Sequence, residues 1–217
     1  MMTLLRYRLA FLPLLGLVWA AAFGSAALLR PAAADRLFSE GHLVENANVV
    51  AYVLVLLYFL LRARASWSLR WHGALVIAFL TMRELDFHNR FTAESFMKIS
   101  YYGRDADPLW VRVLAGLIFL AVLAVCIAFL GKLYRRRAAL QARAAHAVTT
   151  LAAVVLLPLT KVVDSAPREI ERQFGYDLSA TARLWMKVLE ESSELAVPLV
   201  MLLAIWQFDD WAKRSTP

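Results

Sequence analysis

The sequence predicts an all-α integral membrane protein, a single polytopic membrane domain over residues 1–217 with six transmembrane helices. Three observations predict it. The chain is 61% hydrophobic, well above the roughly 45–50% of soluble domains, and its mean hydropathy is +0.57. The apolar residues gather into six runs, four of which reach the roughly 20 residues that a helix needs to cross a bilayer only by carrying acidic residues in with them. The shortest connections are strongly basic, the pattern that orients membrane proteins.

The first span, Leu9–Leu29, follows Arg6 and Arg8 and ends in small residues, as a secretory signal does. Its apolar run is longer than the roughly 7–15 residues of a signal core, so it is expected to be retained. The second, Val44–Leu61, opens with Glu45-Asn46-Ala47-Asn48. The third runs from His72 to His88. Its apolar core, Gly73–Met82, is too short to span alone, so Arg83-Glu84-Leu85-Asp86-Phe87-His88 is drawn in below the surface. The fourth, Leu109–Leu133, is apolar throughout and holds Cys126; this lone cysteine excludes an internal disulfide and a thiolate metal cluster. The fifth, Ala147–Asp164, ends in Thr160-Lys161-Val162-Val163-Asp164. The sixth, Trp185–Phe208, carries Glu190-Glu191-Ser192-Ser193-Glu194 ahead of its apolar run. A helix start near Ser179 would instead place Glu190 in an amphipathic turn among the headgroups. Between spans, Phe91–Tyr102 reads as an interfacial amphipathic segment and Arg168–Arg172 as a solvated charged turn.

Twelve of the 24 basic residues fall on each side of these spans. The tie breaks on density, because short basic loops dominate orientation. Both termini are therefore expected in the cytoplasm, with the chain in the plasma (inner) membrane. Trp67, Trp71, Trp206 and Trp211 would form the inner aromatic belt, and Trp110 and Trp185 the outer one. The net charge of +7 is spread over these loops, where it meets lipid headgroups, so the partner it implies is the bilayer and not nucleic acid. Protein partners and oligomeric state are not legible.

Of the 17 acidic residues only Asp209 and Asp210 fall on the inner side. Near the outer face, four spans bring polar groups to a similar depth. Glu45 and Asn48 come from the second; Arg83, Glu84, Asp86 and His88 from the third; Lys161 and Asp164 from the fifth; Glu190, Glu191 and Glu194 from the sixth. Glu84 and His88 share a helix face, as do Glu190 and Glu194, and Lys161 can pair with Asp164 three residues on. The first and fourth spans carry no such groups. The expected packing is a core bundle of spans two, three, five and six around this outer-leaflet polar layer, with spans one and four facing lipid. Polar groups confined to the outer ends argue against an inverted-repeat transporter.

Carboxylates at membrane depth are costly and point to a site. Seven acids, Glu45, Glu84, Asp86, Asp164, Glu190, Glu191 and Glu194, face three bases, Arg83, Lys161 and Lys187. The excess favours bound cations, or carboxyls that keep a proton; the plain alternative is an ion-pair network. Oxygen ligands suit magnesium, calcium or manganese, and His88 admits zinc or iron. Pro158 and Pro198 free the carbonyls of Val154 and Glu194, further oxygen donors or simple kinks.

The functional expectation is an outward-facing carboxylate-rich site that binds a cation or protons, in a transport, sensing or accessory-subunit role. The inner halves of the core helices offer little beyond Thr149 and Thr150, which weakens a conducting pathway. The alternative is a membrane-embedded metal-dependent enzyme acting on a lipid or lipid-linked substrate at the outer leaflet. No phosphate loop, dinucleotide fingerprint, zincin motif or Gly-x-Ser-x-Gly elbow is present. Haem is a poor reading of His42, His72, His88 and His146, which sit at helix edges.

Overall fold

The structure is a computed structural model that describes residues 7–39, 41–63, 65–85, 87, 92, 95–96, 99–103, 107–135 and 144–215. Among the described residues every regular element is helical. In chain order these are α1 (Phe11–Leu28), α2 (Pro31–Leu37), α3 (Leu43–Leu61), α4 (Trp67–Glu84), α5 (Ile99–Tyr102), α6 (Leu109–Arg135), α7 (Ala145–Phe174) and α8 (Ala180–Ser215). Four of them, α1, α3, α6 and α7, are long and apolar enough to cross a membrane.

The boundaries have local causes. Pro13 lies in the first turn of α1, where its missing N–H costs nothing. Pro31 opens α2 after an extended Arg30. α7 ends at Gly175, whose left-handed φ of 61° lets its N–H reach the Glu171 carbonyl at 3.0 Å. Ser179 then caps α8, its Oγ accepting from the Ala182 N–H at 3.2 Å. α8 does start beside Ser179, so Glu190 lies in its third turn.

At 30 and 36 residues, α7 and α8 are about 45 and 54 Å long, more than the roughly 30 Å of a bilayer core. Their facing ends carry charged turns. There Arg183 of α8 holds Glu171 at 2.8 Å and bonds Asp177, and Arg172 holds Glu169 at 2.6 Å. Pro158, Pro167 and Pro198 all sit inside continuous helix.

The chain forms two compact units, Met1–Ala51 with Ala139–Pro217, and Tyr52–Ala138. In the first, α8 packs along α7 and along α1, with α2 against the N-terminal turns of α8. Ala26, Ala34, Phe38 and Val188 form a buried knot there. Trp185 stacks on Phe23 with centroids 5.5 Å apart, packed rather than spread in an interfacial belt. α1 is largely exposed, as expected, but one of its faces takes α8 as partner: the Trp19 indole donates to Ser193 Oγ at 3.2 Å. Gln207 Nε2 likewise donates to the Tyr7 carbonyl at 3.3 Å.

In the second unit α4 packs on α6. Gly73 permits a close approach: a Cβ there would lie 2.5 Å from Cε1 of Phe59, with Phe129 behind it. In the connection from α4 to α6, Tyr101 is fully buried and donates to Asp107 Oδ2 at 2.9 Å. Burial and that hydrogen bond push its phenol up from the usual tyrosine range. Inside the units, then, α8 takes both α7 and α1 as partners and α4 takes α6. α1 and α6, both expected at the periphery, each take a polar-bearing helix as partner, through small or aromatic residues that let the backbones approach.

Candidate functional site

Two contacts fix the antiparallel register of α7 and α8. At one end Lys161 meets Glu194, Nζ to Oε1 at 3.1 Å. At the other the His146 ring packs on Phe208 and Trp211, with centroids 5.5 and 5.0 Å apart. Everything between is ordered by these two fixed points.

Lys161 is the centre of a charged cluster at one end of the pair. Its ammonium contacts Asp164 Oδ2 at 3.3 Å, one turn along α7, as well as Glu194 on α8. Glu190, one turn before Glu194 on the same face, lies beside both Asp164 and Glu194. Arg168 reaches Asp164 Oδ1 from the solvent side at 3.6 Å. Two carboxyls thus share the Lys161 ammonium, with the Glu190 carboxyl beside them. The Glu194 side chain is 13% exposed and that of Lys161 50%, so the cluster is buried on the α8 side and open on the α7 side. Glu191, also on α8, is half-buried. Ser193 beside the cluster is held by Trp19, and Ser192 turns back to donate to its own Val188 carbonyl at 2.6 Å.

The other sequence-predicted residues have separate local roles. Glu45 accepts the Gly41 N–H and so closes the start of α3, while Asn46 Nδ2 donates to the Gly41 and His42 carbonyls. Asn48 is buried one turn further along α3. Glu84 is buried at the end of α4 and accepts from Arg83 Nε at 2.9 Å and from its Nη2, a fork that neutralises the pair. Asp86 and His88 lie outside the described residues. Lys187, expected to offset an acid of the layer, instead holds Asp35 of α2 at 2.8 Å and Ser39 at 3.2 Å. That takes one base out of the layer.

Among the described residues, no three His, Cys, Asp or Glu side chains are placed to hold a metal ion. In the Asp164–Glu190–Glu194 cluster the Lys161 ammonium contacts Asp164 and Glu194.

Towards the other end of the α7–α8 pair the interface turns apolar. Ala153 and Leu156 of α7, with Val197, Val200 and Ala204 of α8, are buried. Thr160 spends its hydroxyl on the Leu157 carbonyl of its own helix. Polar groups return only near the far end, where Thr149 and Gln207 are buried and Arg214 holds Asp210 at 2.8 Å. Sequence reasoning weighed Thr149 but missed Gln207 and the Trp19–Ser193 bond. A glutamine just ahead of Phe208-Asp209-Asp210-Trp211 carries no signal that separates it from a headgroup-facing residue.

No family model, curated protein or solved structure matches this chain.

Proposed function

We propose that this chain is a polytopic plasma-membrane protein with six crossings and both termini in the cytoplasm. Its outward-facing cluster of Asp164, Glu190 and Glu194 around Lys161 binds protons, in a sensing or accessory-subunit role. The observation that carries the reading is the single ammonium of Lys161 set between Asp164 and Glu194, with a third carboxyl, Glu190, beside them. Lys161 contacts two of the three carboxyls and Arg168 reaches Asp164, so three carboxyls still outnumber two cations at membrane depth, and a proton held among them relieves the excess.

Helix lengths support the two further crossings. α4 has 18 residues, about 27 Å, and ends on Glu84. In α8 the apolar run Leu195–Phe208 is only about 21 Å long, so a crossing draws Glu194 and Glu190 into the edge of the hydrocarbon. The short basic stretches around Arg62 and Arg70, and Lys132 and Arg135, support the orientation.

The apolar layer between the two polar ends of α7 and α8 supports sensing over conduction. A proton relay needs polar groups or water in succession, and Ala153, Leu156, Val197 and Val200 supply none. Reconstitution into liposomes with an internal pH dye tests this directly. The proposal expects no proton flux above that of empty liposomes, together with a pH-dependent change in tryptophan emission from Trp19, which is bonded to Ser193 next to Glu194, that is lost in Glu190→Gln. Flux in the parent that Glu194→Gln abolishes would replace sensing by transport.

A further inference from the structure

In the second unit a narrow cleft of about 300 Å³ runs between α4 and α6. Leu75, Phe79 and Met82 line it from α4, and Ile118, Val122 and Val125 from α6. On each helix these residues recur at spacings of three or four, so each wall is one helix face. Followed towards the start of α4, that face carries His72 and then Ser68. Followed towards the end of α6, it carries Phe129 and then Lys132. These ends meet, for Lys132 Nζ donates to Ser68 Oγ at 2.5 Å. An ammonium group thus stands in line with the cleft, about 10 Å along the helix axis from Leu75.

The two ends differ in charge. Arg83 closes one end, already forked onto the Glu84 carboxylate. At the other, Lys132 donates to the neutral Ser68 hydroxyl, and an ammonium has three protons to donate. No aspartate or glutamate occurs in residues 46–83 or 108–163. His72 and Arg135 lie at the same end. Trp67 and Trp71, 69% and 46% exposed and edge-to-face at 5.4 Å, mark that end as headgroup level.

We propose that the cleft holds one acyl chain of an anionic phospholipid whose phosphate is bound by Lys132 and Ser68. The walls are apolar over the depth at which a chain hangs below its headgroup. The volume is at the small end for ligand pockets and suits one chain rather than a bulkier body. The headgroup end carries cations, and no acidic residue of α4 or α6 lies at that end. An anionic headgroup supplies that charge, whereas a choline headgroup sets a second cation against Lys132 and Arg135.

The test is native mass spectrometry of the full chain taken from bicelles of equal phosphatidylglycerol and phosphatidylcholine. The parent is expected to retain one phosphatidylglycerol in preference to phosphatidylcholine. Lys132→Gln is expected to lower that retention about five-fold, the worth of one lysine–lipid contact, and Lys132→Arg to restore it. Ala121→Phe, which places a ring in the cleft, is expected to lower retention of both lipids. Equal retention of the two lipids by the parent overturns the proposal, as does phosphatidylglycerol retention unchanged in Lys132→Gln. Thermal stabilisation by inorganic phosphate alone that matches the lipid's overturns it too.

Discussion

Replacing Lys161 by methionine removes the ammonium that Asp164 and Glu194 share. The contacts are 3.3 and 3.1 Å, so at an effective dielectric of about 20 each gross attraction is about 5 kcal/mol. Desolvation consumes most of that. An exposed pair nets about 0–1 kcal/mol, and removing one partner of a buried pair costs about 3–5 kcal/mol. With Lys161 half-exposed and Glu194 13% exposed, the cluster lies between these limits. Glu194→Gln alone should cost about 1–2 kcal/mol. Lys161→Met should cost more, about 2–3 kcal/mol, because it leaves three carboxyls without their central cation. In the double variant the second loss is partly forgiven, giving a coupling of about 1–2 kcal/mol. Equilibrium unfolding in mixed micelles, followed by circular dichroism, measures all four proteins. Additivity within about 0.5 kcal/mol would refute the claim that Lys161 and Glu194 act as one unit.

Gly73→Ala is expected to destabilise by about 1–3 kcal/mol despite alanine's better helix propensity, because its Cβ would sit 2.5 Å from the Phe59 ring. Phe59→Leu in the same chain should recover part of the loss in the same unfolding assay, and no recovery would place the strain elsewhere. Thr149→Val should be neutral or stabilising by about 1 kcal/mol, since Oγ1 is buried without a hydrogen-bond partner among the described residues. A loss of more than about 1 kcal/mol in thermal unfolding would show that the hydroxyl is bonded, for instance through water. Tyr101, with its phenol raised by burial and by Asp107, should ionise after the exposed tyrosines in an ultraviolet titration. The stability it contributes is full below the ordinary tyrosine pKa and falls as pH rises beyond it, because the unfolded chain loses the proton first. A stability profile that stays flat above about pH 10, matching that of Tyr101→Phe, would contradict this.

Helix positions were largely legible because apolar runs bounded by charges leave little choice. The second span was expected at Val44–Leu61 and α3 is Leu43–Leu61; the fourth was expected at Leu109–Leu133 and α6 is Leu109–Arg135. The far ends of α7 and α8 were harder. Hydropathy stops a span at the membrane edge, but helical hydrogen bonding continues until a residue such as Gly175 breaks it, and even Pro167 is absorbed. α2 was overlooked, although Pro31 followed by three alanines is a legitimate helix start.

Within the site, contacts along one helix were readable and contacts between helices were not. Lys161 and Asp164 are three apart, and Glu190 and Glu194 four apart, so their shared faces follow from geometry. That Lys161 bridges to Glu194, or that Lys187 turns away to Asp35, depends on which helices pair and in which register. The sequence offers no local signal for either. The same gap explains why α1 was expected to be a lipid-facing bystander, when Trp19 is the donor that holds Ser193.

The central claim is that the cluster around Lys161 takes up a proton. Infrared difference spectroscopy of the reconstituted protein, stepped in pH, reads the carbonyl stretch of a protonated carboxyl directly. The account predicts one such band that titrates in the parent, is absent in Glu190→Gln, and shifts in Lys161→Met. Carboxylates that stay ionised throughout, or a band identical in the parent and in Glu190→Gln, would contradict it.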